Sequence, residues 1–352
     1  MYSIHSGLGS NLNPSLNSNL DSTLVISSRG HRTVTQAITR MARWSPEPAA
    51  RAGASLDLIL DGVYRSSWQE VAWKFSGLTY DGFPVEFAFS AADNTIRYVA
   101  EVSGPEEDSA ERLDLAEKKL ASLGAARLPK EVSELLHKVL LSGPLQFGAW
   151  IGGRHGPKDD RYKLYVEVPR SDSDEHEYLI RDMLGDVSIL PGRRPRFQMI
   201  GYEPATTRLE LYFSITGLEL WEIEHLLSLV GMRSKWTEFL SLIEEAYGNR
   251  PELALSRSRI GFSFSAQRSR EEIVFTLFKS ARSVFGSDRS IRSHILGLAE
   301  LKGWDLSCYE ALSLPVAERE GWDTRHGIIS FVVHPKSQPA LSITLRPPED
   351  GA

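Results

Sequence analysis

Arg97, Lys163, Arg208 and Arg259 lie on four separate segments in which charged or tyrosine side chains alternate with aliphatic ones. Arg97 and Glu101 alternate with Ile96, Tyr98, Ala100 and Val102; Lys163, Tyr165 and Glu167 with Leu164, Val166 and Val168; Arg208, Glu210 and Tyr212 with Leu209, Leu211 and Phe213. Side chains of a β-strand point alternately to opposite faces, so each segment has one apolar and one polar face. Brought into one ring, the four cations suit a diphosphate, because arginine grips phosphate oxygens bidentately and lysine acts as a point charge. Tyr165 and Tyr212 follow the cations on the same face. Their rings could shield a developing carbocation by roughly 0.5 to 2 kcal/mol each. Trp150 joins them if Phe147, Ala149 and Ile151 face the other way. A diphosphate beside aromatics implies an allylic ester that ionises, and Glu86 could take a proton from the nucleophile that captures the cation. Glu86 could equally be a structural partner for Arg97.

These residues need a scaffold, and the chain repeats strand pairs every ~50 to 60 residues, the spacing at which repeat architectures are sought. Short clusters of Gly, Pro, Asp and Asn predict five hairpins: 84–90 with 95–103, 145–152 with 160–168, 195–202 with 208–215, 252–257 with 259–266, and 327–333 with 340–346. Apolar stripes at helical spacing predict helices near 113–123, 132–140, 174–185, 218–231, 235–247, 269–285 and 289–302. Hairpins alternating with helices exclude a parallel sheet, which needs a crossover between successive strands. The fold class expected is α+β: a ten-stranded antiparallel barrel of repeated ααββ units. Its apolar face would turn outward to a ring of helices, and its lumen would be polar, lined by Glu86, Arg97, Lys163, Tyr165, Glu167, Arg208, Glu210, Tyr212, Arg259 and Ser263. The alternative is an open sheet whose charged face is wet. Tyrosines and a tryptophan beside the cations favour a cavity lining over an exposed sheet.

The whole chain narrows the function classes. At 352 residues with 41% hydrophobic content it can bury a sizeable core. A net charge of -6 speaks against bulk nucleic-acid binding, and no apolar run is long enough for a membrane span. Cys308 is the single cysteine, so no intrachain disulfide forms and a reducing cytoplasm is the default compartment. Residues 1–30, rich in Ser, Asn, Gly and Leu, read as a flexible lead-in, and 31–352 as one domain. Phosphate loops, dinucleotide fingerprints, nucleophile elbows and HExxH are absent, and the nine histidines lack metal-ligand spacing. Asp159 and Asp160 read as a hairpin turn, with magnesium a minor option. Residues Gly152 to Gly156 resemble a phosphate cradle only superficially, since no helix starts there.

Three stretches resemble the aromatic prenyltransferases of the ABBA barrel type, nearest the indole-prenylating group of dimethylallyltryptophan synthase. Ser76 to Phe87 is similar to that family's LT.DG.P.E segment, with Ile96-Arg97-Tyr98 following where its first diphosphate arginine is expected. Tyr162-Lys163-Leu164-Tyr165 resembles its KLY strand, and Arg208-Leu209-Glu210-Leu211-Tyr212 its RxKxY strand. The resemblance implies transfer of a prenyl group, dimethylallyl first among them, from an isoprenoid diphosphate to an indole, free or within a small natural product or peptide. It implies no required cofactor; magnesium is not expected to be essential. By position, Glu86 would hold and deprotonate the indole N–H; Arg97, Lys163 and Arg208 would bind diphosphate; Tyr165 and Tyr212 would belong to the tyrosine shield. Arg259 lies where a further diphosphate contact is expected. Two departures stand out. Glu210 replaces a diphosphate-binding lysine and calls for a neutralising cation: Arg346 could supply the missing cation and bind diphosphate, or Glu210 could bind a metal or a positive part of the acceptor; and the last hairpin lacks tyrosines. The rival readings are a phenol or phenazine acceptor, and a non-catalytic barrel that binds an anionic or aromatic ligand.

Overall fold

Alternation of period two makes strands here because each apolar face finds helices to cover it, and the computed structural model shows where. It describes residues 29–170, 176–248, 255, 258–267 and 272–349. The chain enters through helices α1 (Arg29–Met41), α2 (Pro46–Ile59), α3 (Asp61–Tyr64) and α4 (Gln69–Ala72), then forms β1 (Val85–Ser90) and β2 (Asp93–Glu101). There follow α5 (Arg112–Ser122), α6 (Lys130–Leu140), β3 (Ala149–His155), β4 (Asp160–Glu167), α7 (Glu177–Leu184), β5 (Arg196–Glu203) and β6 (Arg208–Thr216). The remainder is α8 (Leu220–Leu229), α9 (Trp236–Tyr247), β7 (Arg259–Ala266), β8 (Val274–Ser280), α10 (Ala281–Phe285), α11 (Asp288–Lys302), α12 (Ser307–Ser313), β9 (His326–Val333) and β10 (Ala340–Leu345). Every strand pairs antiparallel with its chain neighbours, and β10 returns to β1 through Phe87↔Leu345 and Phe89↔Ile343. The sheet is a closed ten-stranded barrel.

The core lies between barrel and helices, outside the lumen. Outward residues Phe213, Phe262, Phe264 and Phe275 are buried and stack on one another, with Phe213–Phe262 centroids 5.3 Å apart. Phe239 of α9 meets Phe275 and Phe331 edge-on. Each such ring stabilises the fold by about 1.5–3 kcal/mol through burial, so the helices fix which strand face points out. Polar residues on the outward face are paired: Tyr98 and His155 both meet Ser55 of α2, and His155 lies 3.0 Å from Asp160. Asp288, at the start of α11, accepts from His326, whose other nitrogen meets the Tyr309 hydroxyl at 2.9 Å.

The predicted fourth hairpin is wrong. Strand β7 pairs with β8, which follows it, so 274–280 is a strand and the helix expected over 269–285 shrinks to α10. Val274, Leu277, Phe278 and Ala281 satisfy a helical stripe, but Phe275, Leu277 and Lys279 also alternate; a short apolar run cannot be assigned by period alone. Pairing with β7 and β9 on both sides decides it. Of the predicted strand 252–257 only Leu255 is among the described residues, and it is buried in the core. The lead-in also lies outside them, except Arg29 and Gly30, which open α1. Strand β3 begins four residues later than the 145 expected. The segment before it is captured instead by Glu167, whose carboxylate accepts the backbone N–H groups of Gln146, Phe147 and Gly148 at 2.7–3.0 Å. Glu167 is therefore a loop anchor at one mouth of the barrel rather than a free lumen group. Among the described residues no helix is long and apolar enough to cross a membrane.

Replacing Glu167 with Ala leaves these N–H groups without an acceptor in a buried setting. Expected is a loss of roughly 3 kcal/mol, since unmade hydrogen bonds to a buried group cost about 1–3 kcal/mol apiece. The urea midpoint would fall with an unchanged slope.

Candidate functional site

The LT.DG.P.E segment is the device that aims Glu86 into the lumen. Gly82 takes φ of 82°, a left-handed turn that favours glycine, and its N–H returns to the Thr79 carbonyl. Thr79 donates to Asp81 and to the Phe83 carbonyl, while Asp81 holds Arg325 at 2.7 Å and Arg346 at 2.9 Å. The chain then enters β1 with Glu86 inward. Glu86 is buried, and burial pushes its carboxyl up to about 8, with a hydrogen bond to Thr344 drawing the other way. An added Cβ at Gly327 would collide with its Oε1, so the glycine leaves room on β9 for the Glu86 carboxyl where it now sits. Arg97 is not its partner.

Lys163 on β4 and Glu210 on β6 form a buried ion pair inside the barrel. Lys163 also donates to the Tyr212 hydroxyl at 3.1 Å, and Ser263 donates to Glu210 at 2.5 Å. Burial alone would lower the Lys163 ammonium, but Glu210 and Tyr165 leave it raised; burial would raise Glu210, and Lys163 and Ser263 bring it below the ordinary carboxylate range. Both are charged. Glu210 thus takes its neutralising cation from Lys163, not from Arg346 or a metal. Room for the pair comes from Gly201, where a side chain would strike Lys163.

An aromatic wall surrounds this pair. The Lys163 ammonium lies 5.1 Å from the Tyr165 ring centre and 5.4 Å from that of Tyr212. Tyr165 and Tyr212 centroids are 6.1 Å apart, and Tyr212 meets Phe278 of β8 at 6.1 Å. Trp150 faces Tyr165 across the β3–β4 ladder, stacks on Phe147 and donates its indole N–H to Glu101 at 2.9 Å. Phe278 was missed in the sequence because a helical reading sent it to the core. The alternation of Thr276 and Phe278 against Phe275, Leu277 and Lys279 was the signal. The last hairpin supplies Ser330, Val332, Ser342 and Thr344 to the lumen, so that sector carries no ring.

The cations do not form the single ring expected. Arg97 on β2 and Arg208 on β6 project into the lumen, Arg97 paired with Asp93 and Arg208 donating to the Ser265 carbonyl at 3.1 Å. Arg259 pairs in register with Thr216, eight residues along β6 from Arg208, which puts it roughly 26 Å away along the strand. It donates to Ser214 at the opposite mouth. Nearby lies a cavity of about 770 Å³ lined in part by Arg170, His176, Arg181 and Arg196, beside α7 and away from Glu86 and Lys163. Arg346, expected as a further diphosphate cation, is engaged elsewhere: it lies over the Phe83 ring at 4.4 Å and is bound to Asp81 and Glu349. Asp159 and Asp160 pair with Arg161 and Arg51, and among the described residues no cluster of His, Cys, Asp and Glu could hold a metal.

Similarity to solved structures follows the barrel. The chain is similar to 6-dimethylallyltryptophan synthase from Micromonospora olivasterospora, solved with DMASPP and Trp, at 17% identity over 91% of this chain and 99% of that chain, with a TM-score of 0.71. It is similar to 5-dimethylallyltryptophan synthase from Streptomyces coelicolor, also with DMASPP and Trp, at 16% identity over 93% and 97%, with a TM-score of 0.73. AnaPT from Neosartorya fischeri matches at 13% identity over 90% and 92%, with a TM-score of 0.64. No protein-family model and no curated protein matches the sequence. The fold is that of the ABBA-type prenyltransferase barrels, as the sequence resemblance implies.

A double-mutant cycle measures the central pair. Glu210→Ala strands a buried ammonium and is expected to cost about 3–5 kcal/mol of stability. Lys163→Met combined with Glu210→Met should lie closer to wild type than either single change, read from urea denaturation.

Proposed function

We propose that the protein transfers a prenyl group, dimethylallyl in the first instance, from an isoprenoid diphosphate to an aromatic acceptor of the indole or tryptophan-derived class. The observation that carries this is the enclosure, within one prenyltransferase-type barrel, of a buried carboxyl near pH 8 together with cations and an aromatic wall. Solved dimethylallyltryptophan synthases of similar fold hold DMASPP and Trp, which supports the donor and acceptor classes.

In this reading the allylic C–O bond breaks with its electron pair leaving on the diphosphate. Tyr165 and Tyr212 present ring faces to the cation, and Phe278 closes the wall beside them. The acceptor's ring carbon bonds to the cation while ionised Glu86 takes the N–H proton; the ring C–H proton then leaves on the released diphosphate, and Glu86 returns its proton to the nitrogen, which restores the aromatic indole. Glu86 suits the role because its raised pKa makes it a stronger base than an exposed carboxylate. No metal or cofactor is assigned to this chemistry. Cys308 as the single cysteine is consistent with a reducing compartment, and the cytoplasm is part of the proposal.

The Lys163–Glu210 pair favours one second reading, a barrel that binds an anionic aromatic ligand without turnover, because it cancels a cation on the donor side. Incubation with prenyl diphosphates and a panel of indoles, read by mass for the added prenyl unit, separates the two. Diphosphate binding without product from any donor would overturn the enzyme reading. Glu86→Gln is expected to lower kcat at least about 100-fold with donor affinity nearly unchanged. Since the base must be ionised, wild-type kcat/KM should rise with pH through about 8. That limb should vanish in Glu86→Gln; a variant that keeps it would place the base elsewhere.

A further inference from the structure

Three arginines stand side by side across adjacent strands of the lumen wall. Arg97 of β2 is the register partner of Arg154 of β3, and Arg154 is the register partner of Arg161 of β4. All three share the inward parity of Lys163 and Tyr165, between outward-packed neighbours: Ile96 and Tyr98, Gly153 and His155, and Tyr162. Like charges placed directly opposite across a ladder destabilise a sheet. Here two successive pairs are kept.

The countercharges arrange the row rather than erase it. Asp93 Oδ2 accepts from both Arg97 and Arg154, so one carboxylate serves two guanidinium groups. Arg161 meets Asp159 at 3.0 Å and Glu203 at 3.6 Å, and Glu203 pairs in register with Arg208. The three side chains keep 28%, 33% and 30% of their surface open, and Arg154 Nε is buried without a hydrogen-bond partner. Burial, with the neighbouring Arg154 adding to it and Asp93 opposing, leaves Arg97 lowered, the signature of a cation lacking full compensation. Lys163, by contrast, is spent on Glu210. At the Asp93 end of the barrel the cations are therefore Arg97, Arg154, Arg161 and Arg208, with Asp93, Asp159 and Glu203 among them. Glu86, beside Val99 in the ladder, is two residues down β2 from Arg97, roughly 7 Å along the strand.

We propose that Arg154 and Arg161, in register with Arg97 and held by Asp93, Asp159 and Glu203, bind a diphosphate group in their own right, beside the Arg97 and Arg208 positions that the family resemblance already implies. Three planar forks on neighbouring strands, about 5 Å apart at their Cα atoms, match the linked tetrahedra of a diphosphate better than a single phosphate. The proposal rests on the prenyl-transfer reading for the source of that group, the donor ester or the diphosphate it releases.

Calorimetric titration with inorganic diphosphate, inorganic phosphate and a non-ionising dimethylallyl thiolodiphosphate tests it at fixed ionic strength. Wild type should bind both diphosphates and prefer them to phosphate. Arg154→Gln and Arg161→Gln should each weaken diphosphate binding about 10- to 100-fold, the loss of one charge-assisted contact. Arg233→Gln, the same charge change on the exposed helical side, should not change it. Arg154→Lys, which keeps the charge next to Asp93 but not the fork, should fall between, and it serves if Arg154→Gln does not fold. Wild-type affinity in both Arg154→Lys and Arg161→Gln would overturn the row while leaving the transferase reading intact. Row-dependent binding without prenyl transfer to any aromatic would overturn the transferase reading and leave the row standing. Failure of wild type to bind any diphosphate would overturn both.

Discussion

Pairing of β10 with β1 is the constraint on which everything else depends. Until those strands meet, the polar faces of ten strands are a wet surface, and Lys163 and Glu210 are two solvated charges on separate segments. Closure satisfies the edge N–H and C=O groups of both terminal strands and removes bulk water from one side of the sheet. The charges left inside must then find partners among themselves, because an unpaired buried ion costs several kcal/mol. Ion pairs, shared carboxylates and tyrosine hydroxyls in the lumen all follow from that need.

Helices do the complementary work. An ordinary small barrel fills its interior with aliphatic side chains, whereas here Phe213, Phe262, Phe264 and Phe275 point out to α8, α9 and their neighbours. The hydrophobic driving force is satisfied outside the sheet, which frees the interior for polar groups. Glycines on the inward face extend this freedom: Gly201 admits Lys163, and Gly327 admits Glu86. A barrel built this way can hold a carboxyl near pH 8 and a cationic row in one enclosure, two groups that a packed core would reject.

Two of the departures from a standard site have physical explanations. The carboxylate at Glu210 is tolerated because Lys163 and Ser263 both bind it, at the expense of one cation. The tyrosine-free last hairpin leaves a wall of Ser330, Ser342 and Thr344, so the aromatic surface is confined to the arc from β3 to β8. Rings and arginines share strands and are separated by height: Trp150, Tyr165 and Tyr212 each stand four residues along the strand from Arg154, Arg161 and Arg208.

Much of this was legible in the sequence, and the rest was not for identifiable reasons. Period-two alternation determined which face of β2, β4 and β6 is polar, and the order of hairpins and helices determined an antiparallel sheet, because both are local properties of the backbone. Parity also put Glu86 on the inward face, and the resemblance through Ser76 to Phe87 implied its role as the base. Tertiary structure alone decided which charges meet. Arg259 and Arg208 lie on the same sheet face by parity, yet the register of β6 with β7 sends them to opposite mouths. Arg346 looked available to Glu210 and is bound to Asp81, while Arg154, set among glycines, became part of an arginine row only when β2, β3 and β4 came into register. A sequence states the direction of a side chain through its parity, but the height of that side chain in the barrel is set by inter-strand register, a relation between segments distant in the chain.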